Sequence, residues 1–187
     1  MKNVFLCALL LLLVTATPAL AAGKGSPAGR PGTVAGPTEA DGKILLAINR
    51  IRVKYGLAQL KYSDKLGNIA RAQSRDMAKS GILGHRDSGG HDLGSRIAAA
   101  EVKGWRIIGE NVARSFGHPD NAETIVSVWM ESEPHRKNIL SGDFNFTGIG
   151  TALAEDGTLF ATQVFMGASG SSPDASRHTS RKHETGN

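Results

Sequence analysis

Helical spacing governs most of this chain and gives way to a strand pair only at its end, an order that restricts the folds open to it. Ile44, Leu45, Ile48, Ile51 and Tyr55 recur on one helix face, behind Thr38 as a cap and ahead of Gly56. A first helix is therefore predicted over about 38–55. Leu66, Ile69, Ala70, Gln73 and Met77 form the inward stripe of a second, opened at Ser63 or Asp64 and stopped by a left-handed Gly81. A third, short helix is expected from about Asp92 to Val102, with Leu93 and Ile97 inward. WRIIGENVAR then reads as a short extended passage. Asp120 and Glu123 have capping-box spacing for a fourth helix that carries Ile125, Val126 and Trp129. Pro134 starts a brief helical turn over 134–140. Strands over about 147–154 and 158–165 are joined by the hairpin signal Asp156-Gly157. Helices first and an antiparallel pair last predict an α+β domain, not a doubly wound parallel sheet.

The ends of the chain differ from this middle. Residues 1–21 read as a cleaved export signal: Lys2, then an apolar run from Val4 to Val14, then Ala19-Leu20-Ala21. The run is too short to span a bilayer, which takes about 20 residues. Residues 22–37, rich in Gly, Pro and Ala, read as a flexible linker; 38–166 is the domain; 167–187 reads as a disordered polar tail. The one cysteine, Cys7, lies inside the signal, so the mature chain has neither a disulfide nor a thiolate ligand. It must hold together by packing, as a domain of about 150 residues can. Secretion to the medium or the cell envelope is expected, with no transmembrane segment once the signal is gone. Loss of Lys2 leaves 21 basic against 17 acidic residues. That mild excess permits peripheral contact with an anionic envelope. Nucleic-acid binding is not expected, because no basic stripe with interleaved aromatics is present.

Three residues carry the chemistry. His85, Glu110 and His135 follow one another at intervals of twenty-five residues, in segments of different local structure. Two imidazoles and a carboxylate suit a divalent ion such as Zn²⁺, or an acid–base cleft. The same groups could equally hydrogen-bond one another and hold the cleft together. Asn111 and Asn138 stand close by in sequence and fit a supporting network. No G-x-S-x-G, no H-E-x-x-H and no mature cysteine supplies a nucleophile or a local metal template. No motif requires a cofactor. Trp105 and Trp129 are expected in the core, while His91 and His118 are left outside the site.

The ordered series GH at 84–85, GEN at 109–111, VWMESEPHRKNIL, FNFTGIGTAL and FATQVFM resembles the CAP superfamily, or SCP domain, in its short bacterial branch. The resemblance runs from about Ile44 to Met166. It implies a single-domain α-β-α sandwich, helices packed on a small, mainly antiparallel sheet, with a cleft lined by two His and two Glu. His85, Glu110 and His135 match three of the four; Glu133 is favoured over Glu131 for the last. The family is similar to lipid- and sterol-binding proteins. The resemblance thus implies extracellular binding of a small apolar or cell-wall-derived ligand, with a metal-assisted hydrolase of peptides or wall polymers as the alternative.

Overall fold

A computed structural model of the chain describes residues 36–118, 121–168 and Asp174. The expected signal, nearly all of the linker and most of the tail lie outside the described residues, as does Asp120, the expected cap of the fourth helix.

Helix α1 (Glu39–Lys54) starts with a reciprocal cap. Thr38 Oγ1 accepts from the Asp41 amide, and the Asp41 carboxylate accepts from the Thr38 amide. Asp41 is fully buried and does more than cap. It pairs with Arg71 of α2 (Asp64–Ser80) at 3.0 Å and accepts from the Thr151 hydroxyl of β3 (Phe146–Leu153) at 2.8 Å. Helix α2 is opened by Ser63, whose hydroxyl accepts from the Leu66 amide, and closed by Gly81 at φ +71°. All five residues of its expected inward stripe are buried. Tyr55, expected inward on α1, is exposed instead: it is the C-cap, where the backbone has left the helical stripe.

The third helix, α3 (Leu93–Ala99), is capped by Asp92 and ends three residues before Val102. The passage after it is longer than expected. Strand β2 (Trp105–Ser115) runs eleven residues because it pairs along nearly its whole length with β4 (Leu159–Ala168). Helices α4 (Asn121–Glu131) and α5 (Glu133–Leu140) follow, the latter with Pro134 in its first turn. A two-residue strand, β1 (Lys61–Tyr62), pairs in parallel with β3; so short a strand has no periodicity to read in sequence. The sheet order is β1-β3-β4-β2, antiparallel except for β1, with β2 at an edge.

Both faces of this sheet are covered. Leu66, Ile69 and Ala70 of α2 and Ile97 of α3 pack with Phe146, Val164 and Met166. On the other face Ile44, Ile48, Ile125, Trp129 and Ile139, from α1, α4 and α5, pack with Ile149, Ala161 and Phe165. This is the α-β-α layering that the resemblance implies. Trp129 is fully buried, whereas Trp105, expected in the core, is 44% exposed at the start of the edge strand.

The G-I-G of β3 explains how closely the first layer sits. A Cβ on Gly148 would collide with the backbone of Leu66 and Gly67, and one on Gly150 with that of Ala70 and Arg71. Helix α2 therefore rests on the strand main chain itself. We expect Gly150→Ala to destabilise by about 1–3 kcal/mol in urea unfolding, because no flexible side chain can yield. Gly42→Ala, inside α1 with nothing near its Cβ, should instead raise stability by about 0.5–1 kcal/mol.

Candidate functional site

The site forms at the open edge of the sheet, where elements from both faces reach β2. Successive residues of a strand point to opposite faces, and G-E-N uses all three positions. Glu110 sits opposite Val164 and faces the α2–α3 layer, where it meets His85: His85 Nδ1 lies 2.9 Å from Glu110 Oε1. Asn111, opposite Gln163, faces the other layer and donates to the His135 carbonyl at 3.1 Å. Asn138 Nδ2 donates to Asn111 Oδ1 at 2.9 Å and to the Glu110 carbonyl at 3.3 Å. Gly109 has no side chain because a Cβ there would press on Phe144 and Asn138. The Gly opens room for α5, the Glu reaches one layer and the Asn ties down the other.

Two further residues hold this arrangement. Arg96 of α3, nine-tenths buried, donates from Nη2 to Glu110 Oε2 at 2.8 Å and to the His85 carbonyl at 3.1 Å. Gln73 of α2 donates to the carbonyls of Gly84 at 2.8 Å and Arg86 at 3.3 Å, on either side of His85. Sequence reasoning placed Gln73 on the inward stripe without a role and passed over Arg96. A polar residue on an otherwise apolar stripe was the available signal for Gln73. For Arg96, the only hint was its place next to the inward Ile97.

Of the four expected cleft residues, His85 and Glu110 are in direct contact, and His135 is near enough to feel the charge of His85. Glu133 lies elsewhere on α5: it pairs with Lys137 at 2.7 Å on the exposed helix surface. Residues two apart on a helix project about 200° apart, so Glu133 and His135 do not share a face. Glu131, at the end of α4, is exposed. His91 turns to Asp87, its Nδ1 3.0 Å from Asp87 Oδ1, and His118 is exposed.

The two imidazoles have opposite electrostatics. The hydrogen bond to Glu110 holds the His85 pKa above its ordinary value, against the effects of burial and Arg96. Burial, and then the charge of His85, push His135 below its ordinary value. His85 Nδ1 is committed to Glu110, while His135 Nδ1 is buried and has no hydrogen-bond partner among the described residues. Both Glu110 oxygens are engaged, one by His85 and one by the Arg96 cation. Among the described residues no three of His, Cys, Asp or Glu come together to hold a metal ion. With Arg96 on the carboxylate, this donor set does not fit a three-ligand zinc centre. It offers an exposed imidazole oriented from behind by a buried carboxylate, beside a second imidazole whose pKa is held below its ordinary value by burial.

NMR titration of the ring signals should find His85 above and His135 below the ordinary imidazole value. Glu110→Gln should return His85 toward that value. A raised His85 stabilises the fold below about pH 6.5, and this contribution fades as pH rises through the folded-state pKa. A lowered His135 acts the other way, stabilising above about pH 6.5 and losing its effect as pH falls through its folded value. Wild type and Glu110→Gln should therefore differ most in thermal stability below pH 6.5.

Residues 45–165 match the CAP family, the cysteine-rich secretory protein family. The Bacillus subtilis protein YkwD is 36% identical over 127 residues, 67% of this chain and 46% of YkwD, so the chain spans less than half the length of that relative. A Bacillus anthracis protein described as extracellular and as containing an SCP domain aligns at 28% identity and a TM-score of 0.59, over 68% of this chain and 40% of its own. An outer surface protein of Borrelia burgdorferi shares the fold at 19% identity and a TM-score of 0.62, over 71% of this chain and 96% of its own. No helix among the described residues is long and apolar enough to cross a membrane. The match across most of the domain, on a sandwich whose edge gathers the GH, GEN and HRKN segments, makes this chain a member of the CAP family.

Proposed function

We propose that this protein binds a small apolar or cell-wall-derived ligand outside the cell, after export through a cleaved signal over residues 1–21. The observation that carries this reading is the setting of the cleft. Ile82 and Leu83 are exposed on the loop that delivers His85, and Trp105 and Ile107 on the strand that delivers Glu110. Leu83 is two residues from His85, within about 7 Å of chain, and Ile107 lies about 10 Å along the strand from Glu110 on the opposite face, with Gly109 and Asn111 on the side of α5. A polar centre with apolar side chains on both supporting elements suits a ligand with one polar group and a greasy body. The His85 side chain is 58% exposed and so within reach of such a group.

Metal-assisted hydrolysis of peptides or wall polymers is the weaker reading. Among the described residues no hydroxyl hydrogen-bonds to either imidazole in the way an activated nucleophile would. A metal would compete with Arg96 for Glu110 and would find two imidazoles as its remaining protein donors.

The binding reading is tested by thermal shift with a long-chain fatty acid, a sterol and a muropeptide fragment, one at a time. A ligand at about 100 times its Kd adds about 2.7 kcal/mol, which is about 5–10 °C for a domain of this size. One of the three should reach this in wild type and lose it in His85→Ala and Leu83→Asp. If none of them moves Tm, the reading fails. Zn²⁺ is tested by calorimetry on the full chain with His178 and His183 changed to Ala, which removes tail binding. We expect no tight uptake; tight binding lost in both His85→Ala and His135→Ala would establish a metal cleft.

A further inference from the structure

Asp174 is seated on a helix that begins more than a hundred residues before it. Its Oδ1 accepts from the Ser63 hydroxyl at 3.0 Å and from the Lys65 amide at 2.9 Å, at the start of α2. The first amides of a helix have no partner within it, and a carboxylate there also meets the positive end of the helix dipole. Ser63 is fully buried, and its hydroxyl accepts from Leu66 while donating to Asp174. This contact brings the chain that follows β4 back to α2 at one fixed point.

The same Lys65 stands at the near end of an open groove. Between α2 and α3 lies a cavity of about 520 Å³. Its α2 wall is one helical stripe from Lys65 through Ile69 and Ala72 to Asp76. At about 1.5 Å per residue that stripe is about 17 Å long. Ala99 and Ala100 of α3 form the facing wall. Ala72 and Ala99 are exposed, so the groove between the helices is apolar and open to a chain laid along it.

Charge is ordered along this groove. Lys65 lies at one end, while Asp76 and Asp87 lie at the other, next to each other because Ser88 donates to Asp76 from both its amide and its hydroxyl. Arg96 lines the groove too, but its cation is paired with Glu110. Residues 175–187 carry the complementary order. After the acidic Asp174 come Arg177, Arg181 and Lys182 against Glu184, with Ala175, Ser176, Thr179 and Ser180 as small residues around the bases. An extended chain leaving Asp174 at about 3.3 Å per residue would place Arg177 about 10 Å and Arg181 about 23 Å along. The two bases thus bracket the Asp76 end of the stripe. We infer that the α2–α3 groove is the docking site of residues 175–187 of this chain, laid along it from the Asp174 anchor. A short tether supplies a local concentration of about 1 mM or more, so a contact of only millimolar affinity fills the groove. The inference does not depend on what the cleft binds.

The test is ¹H–¹⁵N NMR of the full chain with a nitroxide on Ser180→Cys, and with Cys7→Ser so that one thiol is labelled. Support would be paramagnetic broadening of the amides of Ala72, Asp76, Ala99 and Ala100. Val128, on α4 across the sheet, should be unaffected. The broadening should be lost in Asp174→Ala, which removes the anchor, and in Ala99→Arg, which puts bulk and positive charge into the groove. Ala98→Arg, also exposed on α3 but outside the groove lining, should keep it. A mixture of ¹⁵N chain without nitroxide and unenriched chain with it reads whether a second copy supplies the segment. The inference is overturned if the groove amides are not broadened, or if either Asp174→Ala or Ala99→Arg leaves the broadening unchanged. It is overturned equally if Ala98→Arg abolishes the effect, or if the mixture broadens as strongly as the singly labelled chain.

Discussion

One buried cation fixes the end of α5 against α1 and the loop into β3. Arg52, at the end of α1, is 1% exposed, and no carboxylate pairs with it among the described residues. Among the described residues its guanidinium donates only to main-chain carbonyls: Ala58 at 2.9 Å, Ile139 at 2.6 Å, Ser141 at 2.8 Å and Phe144 at 3.3 Å. These belong to the turn after α1, the last turn of α5 and the loop into β3. The last carbonyls of a helix have no partner within it, and an unmet buried acceptor costs about 1–3 kcal/mol. A planar group with five donors in a fixed fork can meet several at once, as the compact ammonium of lysine cannot. By closing the end of α5, Arg52 sets where the helix that carries His135 and Asn138 lies against β2.

The candidate site follows from that placement and from the exposed edge of the sheet. Because β2 is an edge strand, α5 on one face and the His85 loop on the other both reach it without crossing another strand. The Asn138–Asn111 bond fixes the first approach, and the Arg96–Glu110 pair with Gln73 fixes the second. Arg96 also decides the chemistry. With its cation on one carboxylate oxygen and His85 on the other, Glu110 serves as an anchor for an imidazole rather than as a free base.

Much of the fold could be read from local pattern. Thr38, Ser63, Asp92, Gly81 and Pro134 mark the helix ends as expected, because capping is chemistry between neighbours in the chain. The stripes of α2 and α4 were correct for the same reason. What failed depended on distant partners. The length of β2 was underestimated, since only pairing with β4 shows how far it runs. Trp105 was expected in the core on its residue type, but it stands 44% exposed at the start of an edge strand. At the site, the His85–Glu110 contact was foreshadowed by chemistry and by the family motifs, whereas Arg96 was not, because a charged residue on a short helix looks like solvent-facing surface.

The sequence by itself determined the order of the helices and of the three longer strands, the α+β class and the absence of any cysteine after Cys7. All of these rest on interactions within a few residues or on composition. Only the tertiary structure decided that Glu110 is shared between His85 and Arg96, that Glu133 turns to Lys137, and that His135 carries a buried nitrogen with no partner among the described residues. Those outcomes depend on which groups from separate segments meet at the sheet edge. That is fixed by the packing of two helical layers, not by any spacing along the chain.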